Sequence, residues 1–259
     1  MTTARTAPTS HITSITQSRR GGNGAPLAGA PHIFDAVMDS TPTATRVDEI
    51  YRAVRADLLT SCYRPGDWVK VSDLQKRFTA SLSVVREALS RLAAEQLLAY
   101  VPQRGFHVPD LSLDELVELT EARVKIEVLV LRESVTFGGP AWKAGLREAH
   151  TILHHTPLLS TDTRRLNPQW VLAHAQFHDA LLAGCPNARL LSIATTLRDT
   201  AEMYRTRIPQ PRKTISSVIE EHQLLTELAL QPDIDACAEL LTAHIGQTHT
   251  AIAGYTGHE

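Results

Sequence analysis

The feature that most constrains the fold is a long C-terminal region where apolar residues recur at helical spacing and only Gly and Pro interrupt them. Residues three or four apart share one face of a helix, so each uninterrupted stretch predicts an amphipathic helix. The predicted helices cover residues 113–136, 140–155, 167–183, 187–207, 213–231 and 233–252. Such helices with short connections predict an antiparallel all-helical bundle.

A different pattern precedes this bundle. IYRAVRADLL keeps Ile50, Val54 and Leu58 on one helical face. A short helix, VSDLQKRF, follows, and Ser72 and Gln75 in it are spaced as a capping box. Both segments are too short to bury a core alone, which predicts that they pack together.

A third helix and a hairpin complete this region. In SVVREALSRLAAEQLL, apolar residues recur every three or four positions. In LAYVPQRGFHV, apolar and polar residues alternate around a turn at Gly105, as in a two-stranded hairpin. Helix, helix, turn, helix and hairpin predict a winged helix-turn-helix over residues 45–110, with the helical domain at 111–255. Residues 1–44, rich in Thr, Ser, Ala, Gly and Pro without any period, predict a disordered arm.

Charge and cysteine usage bound the function classes. Residues 45–110 carry ten Lys and Arg against eight Asp and Glu, whereas residues 111–259 carry 13 against 18, so only the first module favours nucleic acid. Cys62, Cys185 and Cys237 are too few and too widely spaced for a disulfide framework. No apolar run long enough for a membrane span and no secretory signal are present, which predicts a cytoplasmic location.

The helix-turn-helix predicts a set of DNA contacts. A recognition helix presents its N-terminal turn to base edges in the major groove, while nearby cations neutralise phosphates. The alternative for Arg86 is a surface ion pair with Glu87 or Glu95. The candidate DNA-contacting residues are Lys76, Arg77, Ser81, Ser83, Arg86, Arg91, Arg104 and Gly105.

Histidines recur on the apolar faces of the predicted bundle helices. His174 and His178 lie one turn apart on one helix, and His222 and His244 lie on two others. Each could be a core histidine bonded to its own neighbour. A shared divalent ion would satisfy all four rings together, and neutral imidazole favours zinc, with nickel, iron or copper as alternatives.

The N-terminal region closely resembles the DNA-binding domain of GntR-family transcription regulators. The resemblance is carried by IYRAVRADLLTSCYRPGD, SLSVVREALSRLAAEQLL and QRGFHV. It implies that Arg86 and Arg91 contact a double-stranded DNA operator, with help from the serines and the wing. Leu82 stands where the family has an arginine, and Gln96 stands where glycine is common. The missing arginine implies a different operator or weaker binding, because leucine cannot pair with guanine.

The C-terminal region resembles the FCD ligand-binding domain of the FadR-type branch. FHDALLAGCPN, EEHQLL and AELLTAHI carry this resemblance, and Asn187 matches the asparagine that starts the next family helix. His178, His222 and His244 match three family histidines that hold a divalent metal, whereas His174 replaces an aspartate. A histidine there removes a negative charge and favours a softer, nitrogen-preferring ion.

The same resemblance implies an effector site and a dimer. Arg123 matches an arginine that faces the effector, and Tyr204 is a weaker candidate for the cavity wall. Arg123 would hold a carboxylate bidentately, and the alternative is a surface pair with Glu127. The expected protein is a homodimeric, ligand-responsive repressor with a small carboxylate effector and no membrane partner.

Two other functions remain open at this stage. The adjacent His178 and Asp179 are reminiscent of metal-dependent HD-type phosphohydrolases, although no phosphate cradle accompanies them. A degenerate family member that binds DNA without effector control is the third possibility, because His174 and Leu82 depart from the family pattern.

Overall fold

The chain is mainly α-helical, with a winged helix-turn-helix head followed by a helical bundle. The computed structural model describes residues 45–110, 112–161, 165–207 and 212–256. The predicted arm, residues 1–44, lies outside the described residues. The head contains α1 (Arg46–Leu59), β1 (Trp68–Val69), α2 (Val71–Phe78), α3 (Leu82–Ala94), β2 (Ala99–Val101) and β3 (Gly105–His107).

The core of the head lies between α1 and α3. Ile50, Val54 and Leu58 are fully buried, as predicted, against Leu89 and Leu92 of α3. Each such apolar side chain contributes about 1.5 to 3 kcal/mol on burial. This core fixes the orientation of α3, the helix that the sequence assigns to DNA reading.

The predicted capping box at the start of α2 is wrong. The helix begins at Val71, and Lys70 at the cap position makes no side-chain cap bond. Ser72 therefore lies inside the first turn, where its Oγ lies 3.4 Å from Asp73 Oδ1 instead of capping the helix. By contrast, Ser81 caps α3, and its Oγ accepts a bond from the Val84 amide at 3.5 Å.

The predicted two-strand hairpin is part of a larger sheet. Strand β3 pairs antiparallel with β2, and β1 adds a third strand on its other side. Gln96 has a φ of 62°, in the left-handed region where the family's usual glycine has no steric cost. The chain therefore enters the wing through a backbone conformation that disfavours glutamine.

The bundle consists of helices in the order and near the bounds that the sequence predicts. Helix α4 packs on α7 and α9, α5 packs on α6 and α8, and α8 packs on α9. Helix α1 of the head contacts α6 and α7, so the head rests directly on the bundle. The bundle helices are α4 (Leu113–Phe137), α5 (Pro140–His155), α6 (Pro168–Leu182), α7 (Ala188–Arg205), α8 (Arg212–Leu230) and α9 (Ile234–Thr256).

Close packing and helix caps hold α6 and α7 in place. Ser134 on α4 donates to the Leu181 carbonyl at 2.8 Å and accepts from the Gly184 amide at 2.8 Å. A Cβ at Gly184 would lie 2.4 Å from the Ser134 carbonyl oxygen, so only glycine permits this approach. Asn187 caps α7 with its side-chain oxygen, as the resemblance implies.

Within the described residues, no helix combines the length and apolar character that crossing a membrane requires.

Candidate metal centre and DNA-reading surface

Helices α6, α8 and α9 bring four histidines to one point inside the bundle. One ring nitrogen from each of His174, His178, His222 and His244 lies within 4.8 Å of the others, and all four residues are buried. Ring centroids of His174 and His178 are 4.6 Å apart, and those of His222 and His244 are 4.9 Å apart. The structure therefore places the four predicted ligands in one cluster.

Aromatic neighbours fix the orientation of the rings. Trp170, one turn before His174, stacks on its ring with centroids 4.7 Å apart and planes 20° apart. Phe177 contacts the His178 and His222 rings edge-on, with centroids 5.3 Å and 5.0 Å away. These packed aromatic groups exclude water and limit rotation of the imidazoles.

Burial keeps His174, His178 and His222 neutral. It lowers the pKa of His174 to about 3, with the Arg205 guanidinium adding to the effect. Burial also lowers the pKa of His178 and His222 well below the usual value, and the neighbouring histidines contribute. A neutral imidazole offers a lone pair to a metal, so these rings are ready to bind one without losing a proton.

Several of the histidine ring nitrogens have no hydrogen-bond partner among the described residues. Such unsatisfied atoms indicate whether a metal ion fits the cluster. Among the described residues, both nitrogens of His178 and the Nε2 of His222 are buried without a hydrogen-bond partner. A buried polar atom without a partner costs about 1 to 3 kcal/mol. The donor set of neutral imidazole nitrogens and these unsatisfied atoms both fit a divalent transition metal.

Two carboxylates that the sequence analysis did not predict lie behind the histidine cluster. Glu221 Oε2 lies 2.7 Å from His244 Nδ1, and Glu202 Oε2 lies 3.6 Å from His174 Nδ1. Glu221, which accepts the Nδ1 proton of His244, directs the other ring nitrogen of His244 toward a metal, whereas His174 Nδ1 lies 3.3 Å from the Arg205 Nη2 donor. Burial opposes ionisation of Glu202, but Arg205 and His174 lower its pKa to about 2, so it is charged.

Arg123 lies beside the histidine cluster. Its Nε donates to Glu127 Oε1 at 2.6 Å, which is the alternative pairing considered above. The pair is buried rather than on the surface, since Arg123 is 7% exposed and Glu127 is 0% exposed. Arg123 shares the wall of a cavity of about 10 Å³ with His174 and His244. This space holds about one water molecule.

Tyr204 lies at a different place from the predicted effector wall. It lines a cavity of about 550 Å³ between the head and the bundle, together with Leu98, Pro109 and Met203. Its hydroxyl lies 3.5 Å from Glu115 Oε2. The structure therefore separates Tyr204 from the histidine cluster and Arg123.

The recognition surface of the head presents exposed cations. Arg86 is exposed and, within the described part of the chain, has no ion pair, so it does not pair with Glu87 or Glu95. Glu95 instead accepts a 2.6 Å bond from the Tyr51 hydroxyl. Lys76 and Ser83 are also exposed. These side chains are available to DNA without any rearrangement.

Other predicted DNA contacts are engaged locally. Arg91 Nη1 donates to Asp48 at 2.7 Å, and Arg77 pairs with Asp57. Arg104, at the wing, lies over the Trp68 ring with 4.6 Å from Cζ to the centroid. To contact a DNA phosphate, Arg91 and Arg77 would each have to release the carboxylate that they contact here.

Comparisons with known proteins decide the family. The sequence model of the FCD domain matches residues 118–247, and that of the bacterial regulatory proteins of the gntR family matches residues 46–108. The chain belongs to the GntR family, in its FCD branch. Both matches lie inside the two domains that the sequence predicts.

Individual relatives of this chain are also named as HTH-type transcriptional regulators or repressors. The chain is 34% identical over 203 residues to the HTH-type transcriptional regulator BphR of Paraburkholderia xenovorans, covering 77% of this chain and 82% of the relative. It is 32% identical over 211 residues to the HTH-type transcriptional repressor GlaR of Escherichia coli, covering 78% and 93%. The fold resembles E. coli McbR/YncC, with a TM-score of 0.69, 20% identity, and coverage of 83% and 99%.

These findings make the protein a GntR-type transcription regulator with an FCD domain. The matched families and relatives are DNA-binding regulators and not enzymes. In this GntR protein the Asp179 carboxylate contacts Arg198 Nη2 at 2.6 Å and Thr195 at 3.1 Å. Asp179 is not in the histidine cluster, so nothing here supports the phosphohydrolase alternative.

Arg198 and Asp199 on α7 are two further site residues that sequence reasoning missed in this GntR regulator. Both are 2% exposed, and Arg198 lines the same small cavity as Arg123 and His174. Burial raises the pKa of Asp199, while Arg55 and Arg198 oppose that rise. Two adjacent charges in an amphipathic helix look like a surface pair in the sequence, so only the packing reveals their burial.

Proposed function

We propose that this GntR regulator is a homodimeric, cytoplasmic repressor whose DNA binding responds to a small carboxylate effector and a divalent transition metal. The observation that carries the proposal is the buried cluster of four histidines, of which His174 and His244 line the same cavity as Arg123. A cation and a guanidinium that face the same space are complementary to a carboxylate. Zinc is the expected ion, because the donors are neutral imidazoles.

The metal would be held by His174, His178, His222 and His244. When bound, it supplies a Lewis acid that attracts one carboxylate oxygen of the effector. His174 in place of the family aspartate leaves this donor set without a formal charge. Glu221, hydrogen-bonded to His244, and Glu202, 3.6 Å from His174 Nδ1, place negative charge behind two of the rings.

The effector must compete with internal carboxylates. Glu127 now contacts Arg123, and Glu202 contacts Arg205, on the wall of a cavity that holds about one water molecule. An incoming carboxylate would replace one of these glutamates on its arginine. Effector binding therefore requires side-chain movement inside the bundle, which gives the protein two internal states to select between.

The head would bind DNA as one half of a symmetric pair. Arg86 and Ser83 at the start of α3 would face base edges, and Lys76, Arg77 and Arg104 would face phosphates. A homodimer places two recognition helices about one helical turn of DNA apart, so a change in dimer geometry alters the fit to the operator. Binding of the repressor blocks transcription, and the effector releases it.

The test uses the full chain and a duplex selected from a random DNA pool. DNA affinity is measured by fluorescence anisotropy with zinc, with a chelator, and with a panel of small carboxylates. We expect at least one carboxylate to change the affinity of the zinc-loaded protein by about 5- to 150-fold. His178→Ala should abolish this response, whereas His155→Ala, which changes an exposed histidine bonded to the Thr151 carbonyl, should retain it.

An unchanged DNA affinity across zinc, chelator and all carboxylates would support a regulator that has lost effector control. A protein that binds no duplex from the pool would contradict the proposed recognition surface. The two results separate failure of the effector site from failure of the head.

A further inference from the structure

Four alternating charges connect the small cavity to the DNA-binding head. Asp179 on α6 contacts Arg198 Nη2 at 2.6 Å, and Arg198 Nη2 lies 3.8 Å from Asp199 Oδ1. Asp199 accepts two bonds from Arg55 on α1, at 2.5 Å from Nε and 2.6 Å from Nη2. Arg55 belongs to the head, so this chain of ion pairs crosses between the two domains.

Arg198 has unused donors at the cavity end of this chain. The residue is 2% exposed, and its Nε and Nη1 have no hydrogen-bond partner among the described residues. It lines the cavity with Arg123, His174 and His244. A desolvated guanidinium with unsatisfied N–H groups is a strong binding site for an anion.

We propose that Arg198 is a second anion-binding arginine of this cavity, and that its occupation strengthens the Arg55–Asp199 ion pair between bundle and head. The inference rests on the proposed carboxylate effector. A carboxylate oxygen bound to Nε or to Nη1 draws the guanidinium away from Asp199, which is already its more distant acidic neighbour. Asp199 then depends on Arg55 alone, and the bound negative charge reduces the repulsion between the two arginines.

The Arg55–Asp199 pair is well placed to pass this change to the recognition helix. Arg55 follows Val54, which is fully buried in the core that α1 forms with α3. Fixing α1 against α7 therefore also fixes the orientation of α3 relative to the bundle. In a dimer, that orientation decides whether two recognition helices match two half-sites.

A second contact between the domains provides a matched control. Arg207 Nη1, just past α7, donates to the Tyr63 carbonyl at 3.0 Å. This contact also joins the bundle to the head through an arginine, but Arg207 does not line the cavity. Its loss should weaken the interface without affecting the transmission of an anion signal.

The experiment uses full-length, zinc-loaded protein with acetate and succinate as probes. Calorimetry measures anion binding, and hydrogen exchange measures protection of the α1 amides. In the wild-type protein we expect an anion to bind and to raise α1 protection by about fivefold or more. Arg198→Lys keeps the positive charge but removes the unsatisfied Nε and Nη1 donors of the guanidinium. It should bind the anion about tenfold more weakly.

Arg55→Ala should separate binding from transmission. It should still bind the anion, about fivefold more weakly than the wild-type protein because the coupling between the anion and the Arg55–Asp199 pair is reciprocal, and it should show no anion-dependent change in α1, while Arg207→Ala should keep the change. If Arg55→Ala keeps the change, or if Arg198→Lys binds as tightly as wild type, the inference is overturned while the effector proposal stands. If the wild-type protein binds neither probe, the inference is overturned, and the effector proposal is decided by the full panel of carboxylates.

Discussion

The head and the bundle of this regulator treat charged side chains in opposite ways. In the head, Arg86 and Lys76 are exposed, and Arg91 pairs with Asp48 at the surface. In the bundle, Arg123 and Glu127 form an ion pair that water hardly reaches. The head keeps its charged side chains exposed, where DNA can reach them. The bundle holds its charged side chains desolvated around a small cavity.

This contrast implies different energetic roles for the two sets of charges. A surface ion pair contributes about 0 to 1 kcal/mol, because water and salt screen it. A buried charge that loses its partner costs about 3 to 5 kcal/mol, because the remaining charge has no compensating interaction. Substitutions of exposed charged residues in the head should therefore change DNA affinity with little effect on the free energy of unfolding. Substitutions of buried charged residues in the bundle should mainly lower the free energy of unfolding.

Two ion pairs on α4 test the contrast with the largest expected effect. Arg123–Glu127 is buried, and Glu121–Lys125, with the same four-residue spacing, is exposed. Glu127→Ala should lower the free energy of unfolding by about 3 to 5 kcal/mol, while Glu121→Ala should change it by less than about 0.5 kcal/mol. Urea denaturation of both variants measures this, and equal losses would contradict the buried environment of Arg123.

The pH dependence of stability tests the buried histidines of the metal-free protein. An unfolded histidine titrates near 6.5, whereas His174 is lowered to about 3 and His178 and His222 also lie well below the usual pKa. As pH falls below 6.5, the unfolded chain takes up protons that the folded chain does not, so stability is lost. Three such groups cost about 3 kcal/mol between pH 6.5 and pH 5.5.

Denaturation in the presence of a chelator at both pH values measures that loss. His178→Ala should reduce the pH-dependent change by about one third, because one of the three groups is removed. His155→Ala on α5 should leave it as in the wild-type protein. A flat profile would mean that the histidines are accessible to protons in the folded state.

In the head, Arg86 is the sharpest test of the recognition surface. Arg86→Ala should weaken binding to the selected duplex by about 1 to 3 kcal/mol, because a side chain bidentate to guanine contributes on that scale. Stability should change by less than about 0.5 kcal/mol, since the side chain is exposed. Arg64→Ala, which changes an exposed arginine in the loop between α1 and β1, serves as the control in the same anisotropy assay.

Leu82 should show the smallest effect. It is 49% exposed at the first residue of α3, where the family has an arginine. Leu82→Arg should strengthen binding to guanine-containing duplexes by about 1 kcal/mol and leave stability within about 0.5 kcal/mol of wild type. Competition between duplexes that differ at one base pair measures the change, and an unaltered base preference would place residue 82 away from the groove.

The sequence predicted what depends on local periodicity. The faces that carry Ile50, Val54 and Leu58 in the head, and the four histidines in the bundle, follow from a repeat of about 3.6 residues. The capping box at Ser72 failed because the helix starts two residues earlier than a Ser72 cap requires. The two-residue strand β1 was missed because so short a segment shows no alternation.

The rest of the candidate site depends on which helices meet. Arg55 and Asp199 are 144 positions apart in the chain, and nothing in either segment indicates the other. Glu202 and Glu221 look like exposed charges in the sequence until packing places them behind His174 and His244. Long-range pairs between amphipathic helices therefore need the tertiary structure.

Cobalt binding to the full chain tests the central claim most directly, because cobalt reports nitrogen coordination through its visible absorption. We predict one ion per chain with a visible absorption spectrum that differs from that of hydrated cobalt, displaced by zinc, lost in His178→Ala and His222→Ala, and retained in His155→Ala. A wild-type protein that binds no cobalt, or a His178→Ala protein that binds it as well as wild type, would contradict a metal centre in the bundle.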